Sequence, residues 1–301
     1  MSRGCPRDVT EEGTNDGDDA SQFLQHLPAN TCVYSFEEWP QKEEQDFSGN
    51  NFVVIKHVPS EALEKGDKPF FGRIDYSHAS EILILKMPAE IHETAASNFH
   101  SLVAILASQM GVKRRIADRG STRTNTSRRS KEADRSWAPA YRPGEKYREW
   151  PTVALEVGNS ETKAKLINDI TWWLNQSNGR VQQGIIIDIK KGSGNVYISS
   201  WIAANVVTQP APQGESVPVT PIQPLPARQT LEAAFKRRPD GREPVIEGGD
   251  ITIPFANLVG EHPRQGQVDF ALTKDLLLTH VVEPIWEALD AAKLEANKKK
   301  G

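Results

Sequence analysis

Long apolar runs are missing from this chain: none approaches the roughly 20 residues that cross a bilayer as a helix. The first residues, MSRGCPRDVTEEG, carry no hydrophobic stretch of the secretory kind. These absences set the expectation of an intracellular protein, nuclear or cytoplasmic, with no membrane partner. Cysteine is scarce as well. Cys5 and Cys32 are too few for a disulfide framework, and neither has a second Cys or a His at zinc-ligand spacing. There is no nucleophile elbow, no phosphate-binding glycine loop and no internal repeat, so serine-hydrolase and nucleoside-triphosphatase chemistry find no support.

What is present is a chain of 301 residues, 38% apolar and 25% charged, which suffices for one sizeable core. Its charges are unevenly placed. Residues 1 to 48 hold eleven acids against three bases, whereas residues 113 to 148 hold twelve bases against four acids. The basic stretch includes Arg114, Arg115, Arg128, Arg129 and Lys131, and such a cluster on a mildly acidic protein points to a polyanion, DNA or RNA, as partner. A solvated loop of scattered arginines is the alternative.

Along the chain, residues 1 to about 20 are polar and acidic and read as disordered. Phe52 to Val58 and Glu81 to Leu85 read as a small antiparallel β element. Ile91 to Met110 is a helix, with Ile91, Ala95, Phe99, Leu102, Val103 and Leu106 forming one stripe and Gly111 ending it. Residues 112 to 133 read as a long loop. Thr152 to Val157 is an apolar strand interrupted by one carboxylate, Glu156. Gly158-Asn159 is a turn, Ser160 a helix cap, and Val181 to Ile189 a second apolar strand, parallel to the first. Asn195 to Val207 continues as a strand, and a proline-rich spacer covers 207 to 230. The region from 231 to 301 contributes a strand at Asp250 to Phe255 and a helix at Thr273 to Ala292 that pack on the core.

A charge in a buried strand that feeds a helix sits where α/β enzymes place catalytic groups. The order of helix, strand piece ending near Asp134, strand with Glu156, helix and strand resembles the PD-(D/E)XK restriction-endonuclease-like superfamily. The segments ADRSWAP (133 to 139), WPTVALEVGNSETKAKL (150 to 166) and ITWWL (170 to 174) are similar to a group of fungal proteins with this presumed fold, and more remotely to restriction endonucleases of bacterial genomes. The resemblance covers roughly residues 82 to 206. It implies an α/β core of helix, three-stranded meander, helix and strand, with an added N-terminal β element and C-terminal strand and helix. It also implies a nuclease in which Asp134 and Glu156 hold Mg²⁺ while a lysine stabilises the phosphate. An inactive descendant that binds nucleic acid or a protein is the alternative, because the superfamily lysine two residues after the second acid is here Gly158.

Lys163 and Lys165 are the substitutes in the following helix. On a helical projection Lys163 joins the inward stripe of Leu166, Ile167, Ile170 and Leu174 while Lys165 points away, whereas by resemblance position 165 is the more often basic. Either stem could also snorkel. Glu93, beside His92 and His100 on the first helix, is a weaker candidate for an accessory acid, with a solvated helix face as the favoured alternative. Asp169 reads as a residue that orders its helix, Asp188 as a third acid or an edge polar group, Trp173 as core and Trp172 as a cover for it.

Overall fold

The structure, a computed structural model, describes residues 16–29, 31–39, 52–64, 70–87, 89–142, 150–159, 161–204, 227–238 and 241–298. Cys5, Ser160, Lys146, Arg148, the acidic extreme N-terminus and most of the proline-rich spacer lie outside them. The fold is mixed α/β, with two large sheets and one two-stranded antiparallel sheet. In chain order its elements are α1 (Asp16–Leu24), β1 (Cys32–Ser35), β2 (Phe52–Lys56), α2 (Glu61–Glu64), β3 (Arg73–Ser77), β4 (Ile82–Lys86) and α3 (Glu90–Gln109). Then come β5 (Ile116–Asp118), β6 (Arg123–Asn125), β7 (Arg129–Glu132), β8 (Arg135–Pro139), β9 (Val153–Gly158), α4 (Lys163–Gln176), β10 (Gln183–Lys190) and β11 (Asn195–Ile202). The chain closes with β12 (Arg228–Lys236), β13 (Val245–Gly248), β14 (Ile251–Ile253), α5 (Phe255–Val259), β15 (Phe270–Leu272), α6 (Lys274–Leu277), a π-helical turn and α7 (Glu283–Lys298). No helix among the described residues is long and apolar enough to cross a membrane.

The larger sheet has the order β13-β12-β11-β10-β9-β8-β5. Only β9 and β10 run parallel, as their apolar sequences, each broken by a single acid, predict for strands covered on both faces. On one face α3 packs with the C-terminal helices over Val153, Leu155, Val157, Ile185 and Ile187. On the other face lies α4, with Leu166, Ile170 and Trp173 against Ala154 and Ile186. Two glycines let α4 come this close. A Cβ on Gly184 would stand 2.7 Å from Ile170, and one on Gly158 would stand 2.6 Å from Leu166.

The smaller sheet has the order β1-β2-β4-β3-β7-β6. Its period-two alternation sends Val53, Ile55, Ile74, Tyr76, Leu83 and Leu85 into one apolar cluster. The opposite face is divided. Phe52, Val54, Ile82 and Ile84 pack beneath Phe23 and Leu24 of α1, and beside them the same face carries Arg73, Asp75, Lys86, Arg129 and Lys131. The pairs Arg73–Lys86 and Asp75–Lys131 lie directly opposite one another across strands.

One reading of the sequence changes here. Residues 112 to 133, expected as a loop, hold a 3₁₀ turn and strands β5, β6 and β7. Their Ser, Thr and Arg side chains conceal the strand pattern, which is stabilised by pairing with β3 and β8. The chain leaves the larger sheet after β5 and returns at β8, so the segment Ala133–Asp134 is the crossing between the two sheets.

Candidate functional site

Asp134 and Glu156 are brought together. The antiparallel register Arg135–Leu155, with the Asp134 amide donating to the Leu155 carbonyl (3.1 Å), places Asp134 beside Glu156 on the neighbouring strand. Their side chains are 0% and 2% exposed. Asp134 lies one residue before β8, so the sheet crossing and not a loop fixes its position.

What lies between the two acids is an ammonium. Lys86, reaching from the end of β4, places Nζ 2.7 Å from Asp134 Oδ2, 2.8 Å from Glu161 Oε1 and 4.0 Å from Glu156 Oε2, and it also donates to the Val157 carbonyl at 2.7 Å. Asp134 Oδ2 further accepts the Val157 amide at 2.6 Å and lies 2.9 Å from His92 Nε2, while Oδ1 faces Arg73 Nε at 3.2 Å. Burial alone would raise the Asp134 pKa, but His92, Lys86 and Arg73 outweigh it and hold the carboxyl well below its ordinary range. Burial likewise opposes the charge on Lys86, and Asp134, Glu161 and Glu156 overcome it.

A second tier surrounds Asp75 and Asp169. Arg129 grips Asp75 with two guanidinium nitrogens, Lys131 bridges Asp75 (3.2 Å) and Asp169 (3.0 Å), and Lys165 bonds both Asp169 oxygens at 2.7 and 2.6 Å. Glu156 joins the tiers. Its Oε1 accepts Trp173 Nε1 at 2.7 Å and lies 3.6 Å from Lys131. Burial pushes its pKa up, to about 7, with Asp134 and Asp169 adding to the rise and Lys131 and Lys86 opposing it. Glu93, half exposed at the start of α3, pairs with Arg73 at 2.6 Å. Its pKa falls to about 2, chiefly through the His92 ring, whose Nδ1 stands 3.5 Å away, with Arg73 adding to the fall against burial.

The two candidate lysines exchange roles relative to the helical projection. Lys163 is solvent-exposed and stands 3.5 Å from Glu232, away from both acids. Lys165 is 3% exposed and belongs to the second tier. The inward face of α4 is Lys165, Leu166, Asp169, Ile170, Trp173 and Leu174, and its cap is Thr162, whose Oγ1 accepts the Lys165 amide at 3.1 Å. The projection followed the apolar stripe and placed Lys165 outside, because it had no buried partner for an i,i+4 ion pair. Gly158 has no room for the superfamily lysine, since Leu166 fills the space where its side chain would begin.

The five basic residues expected to meet nucleic acid separate into two groups. Arg129 and Lys131 are committed to Asp75 and Asp169 inside the protein, and Arg115 pairs with Glu261 at 2.7 Å. Arg114 and Arg128 face solvent. Asp188 is buried and paired with Lys190 at 2.8 Å, and His100 accepts the Trp137 indole N–H at 3.2 Å. The residues that sequence reasoning missed are Arg73, Asp75, Lys86 and Glu161. Three of them lie on β3 and β4, where RIDYS and ILILK alternate charge with apolar side chains, a pattern ordinarily read as a solvated face.

The residues present do not fit a divalent ion between Asp134 and Glu156. Asp134 Oδ2 is taken by Lys86 and the Val157 amide, Oδ1 makes no hydrogen bond but faces the Arg73 guanidinium at 3.2 Å, and Glu156 Oε1 accepts from Trp173, so an ion between the two acids would have to displace the Lys86 ammonium. Among the described residues no group of three or more His, Cys, Asp or Glu side chains is arranged to hold a metal.

No family model matches the chain, and no curated protein matches it. Among solved structures it is similar to a presumed nuclease belonging to DUF820 from Anabaena variabilis, at 13% identity and a TM-score of 0.34, covering 72% of this chain and 90% of that one. A likeness this distant leaves fold and activity to be argued from the chain's own geometry.

Proposed function

We propose that the chain is a restriction-endonuclease-like module that binds nucleic acid without cutting it. In this reading α3, the antiparallel strands β5, β8 and β9, then α4 and β10 form the core, with β6 and β7 inserted into the meander. The observation that carries the non-cleaving part is Lys86, whose ammonium lies against Asp134 and Glu161 and within 4.0 Å of Glu156. Charge compensation that a divalent ion would provide in a nuclease is supplied by the protein itself, and the acid pair then fastens the two sheets together. Breaking such a buried pair is costly even where its net stabilisation is small.

Exposed Arg114 and Arg128 support phosphate contacts from outside this network. The test is a salt titration of labelled single- and double-stranded DNA and RNA. Phosphate contacts give affinities that fall with a log-log slope of about −0.9 per neutralised phosphate on duplex DNA and about −0.7 on single strands. No binding at low salt removes this reading.

A Mg²⁺-dependent nuclease is the second reading. It is favoured by the adjacency of Asp134 and Glu156 and by three buried acceptors that have no hydrogen-bond partner, Asp134 Oδ1, Asn159 Oδ1 and Glu161 Oε2. Metal-dependent cleavage lost in Glu156→Gln with folding retained would establish it.

A further inference from the structure

The outward face of α4 is unusual for a solvated helix. Asn168, Thr171, Trp172, Asn175 and Gln176 recur at three- and four-residue spacing, so they share one stripe, and none carries a charge. This stripe forms one wall of a cavity of about 340 Å³, closed on the other side by Gln22 and Phe23 of α1 and by the turn Thr126–Arg129.

Arg129 forms the back of the cavity. Its guanidinium lies 5.1 Å from the ring centres of both Phe23 and Trp172, and its charge is spent on Asp75. Trp150 packs against Trp172 at 5.4 Å. Trp172 is therefore a rigid wall and not an open stacking platform. At the rim stands Arg128, exposed, with no ion-pair partner among the described residues. The cavity thus combines the amides of Gln22, Asn168 and Gln176 with a flat aromatic and guanidinium wall and, at its mouth, the Arg128 cation.

We infer that this cavity takes a nucleobase of a single-stranded nucleic acid, with the amides reading the base edge and Arg128 holding the adjoining phosphate. Amide side chains match the donor and acceptor edges of bases, and it is in single strands that those edges are free to be hydrogen-bonded. A cavity of this size accepts one nucleotide. The inference rests on the nucleic-acid reading above and adds the strandedness and the contact residues. Asn168, Gln176 and Arg128 all lie outside the buried ion network, so their removal leaves that network whole.

The experiment is fluorescence anisotropy of labelled single-stranded DNA and RNA homo-octamers on the full chain at low and moderate salt, with mononucleotides as competitors. Expected are binding by the wild type, competition that differs among the four bases, and a loss of roughly tenfold or more in Asn168→Ala and Gln176→Ala with unchanged thermal unfolding. Arg128→Ala weakens all bases alike and reduces the salt slope by about one. Octamers that bind the wild type and the Asn168→Ala, Gln176→Ala double variant equally overturn the pocket while sparing the broader reading. If neither octamers nor mononucleotides bind at low salt, both fall.

Discussion

Replacing Lys86 by methionine keeps most of the stem's volume and removes the charge that fastens the two sheets. The ammonium has contacts at 2.7 Å to Asp134, 2.7 Å to the Val157 carbonyl and 2.8 Å to Glu161. Asp134 retains the Val157 amide, His92 and Arg73, but among the described residues Glu161 has no other ion-pair partner, and the Val157 carbonyl loses a buried donor. Removing one side of a buried pair costs about 3–5 kcal/mol. At roughly 2–4 °C per kcal/mol for a protein of this size, the midpoint should fall by about 6–20 °C. Thermal and urea unfolding at pH 7, followed by circular dichroism, measure this directly. The deficit should narrow only at acid pH, because the Asp134 carboxyl, which Lys86 helps to hold below its ordinary range, must protonate before the wild-type advantage is lost. A loss under about 1 kcal/mol, the range of an exposed pair, would refute the claim that Lys86 compensates the buried acids.

Three further outcomes follow from the same geometry. Gly158→Ala should destabilise by about 1–3 kcal/mol, because its Cβ would meet Leu166 at 2.6 Å; an unchanged urea midpoint would mean that α4 can shift. Lys165→Ala should cost about 3–5 kcal/mol, whereas Lys163→Ala at its exposed site should be nearly neutral, and equal effects in denaturant unfolding would contradict the assignment of the buried lysine. Glu156 has its pKa raised from 4.5 to about 7, so the folded state holds the proton more tightly and stability is lost as pH rises from about 4.5 to 7. Glu156→Gln, which preserves an acceptor for Trp173, should remove that part of the pH dependence, and parallel stability profiles of the two proteins between pH 5 and 8 would show that Glu156 titrates normally.

The long periodic elements were legible. The stripe of α3, the buried strands β9 and β10, and the helix between them follow from hydrophobic spacing alone, whereas the pairing of Asp134 with Glu156 came from the resemblance and not from the local pattern. What was not legible depends on partners distant in sequence. RIDYS on β3 and ILILK on β4 look like strands with one wet face, because nothing local shows that Arg73, Asp75 and Lys86 will meet Asp134, Glu161 and Lys131 in a dry seam. Arg128 and Arg129 are neighbours in a basic run, yet one faces solvent and the other is buried against Asp75. Lys165 misled for a similar reason, since its partners Asp169 and Asp75 lie on the same helix and on a different sheet. The strand β12 adds a neighbour to β11, but its RQTLEAAFK carries too little alternation to announce itself beside a proline-rich stretch.

The account turns on a protein ammonium standing where a nuclease would hold a divalent ion. Titration of the purified full chain with Mn²⁺, monitored by electron paramagnetic resonance at pH 7, addresses that point most directly. The wild type should retain no tightly bound Mn²⁺ attributable to the acid pair, and its spectrum should match that of Glu156→Gln. Stoichiometric Mn²⁺ binding by the wild type that disappears in Glu156→Gln would contradict it and restore the hydrolytic reading.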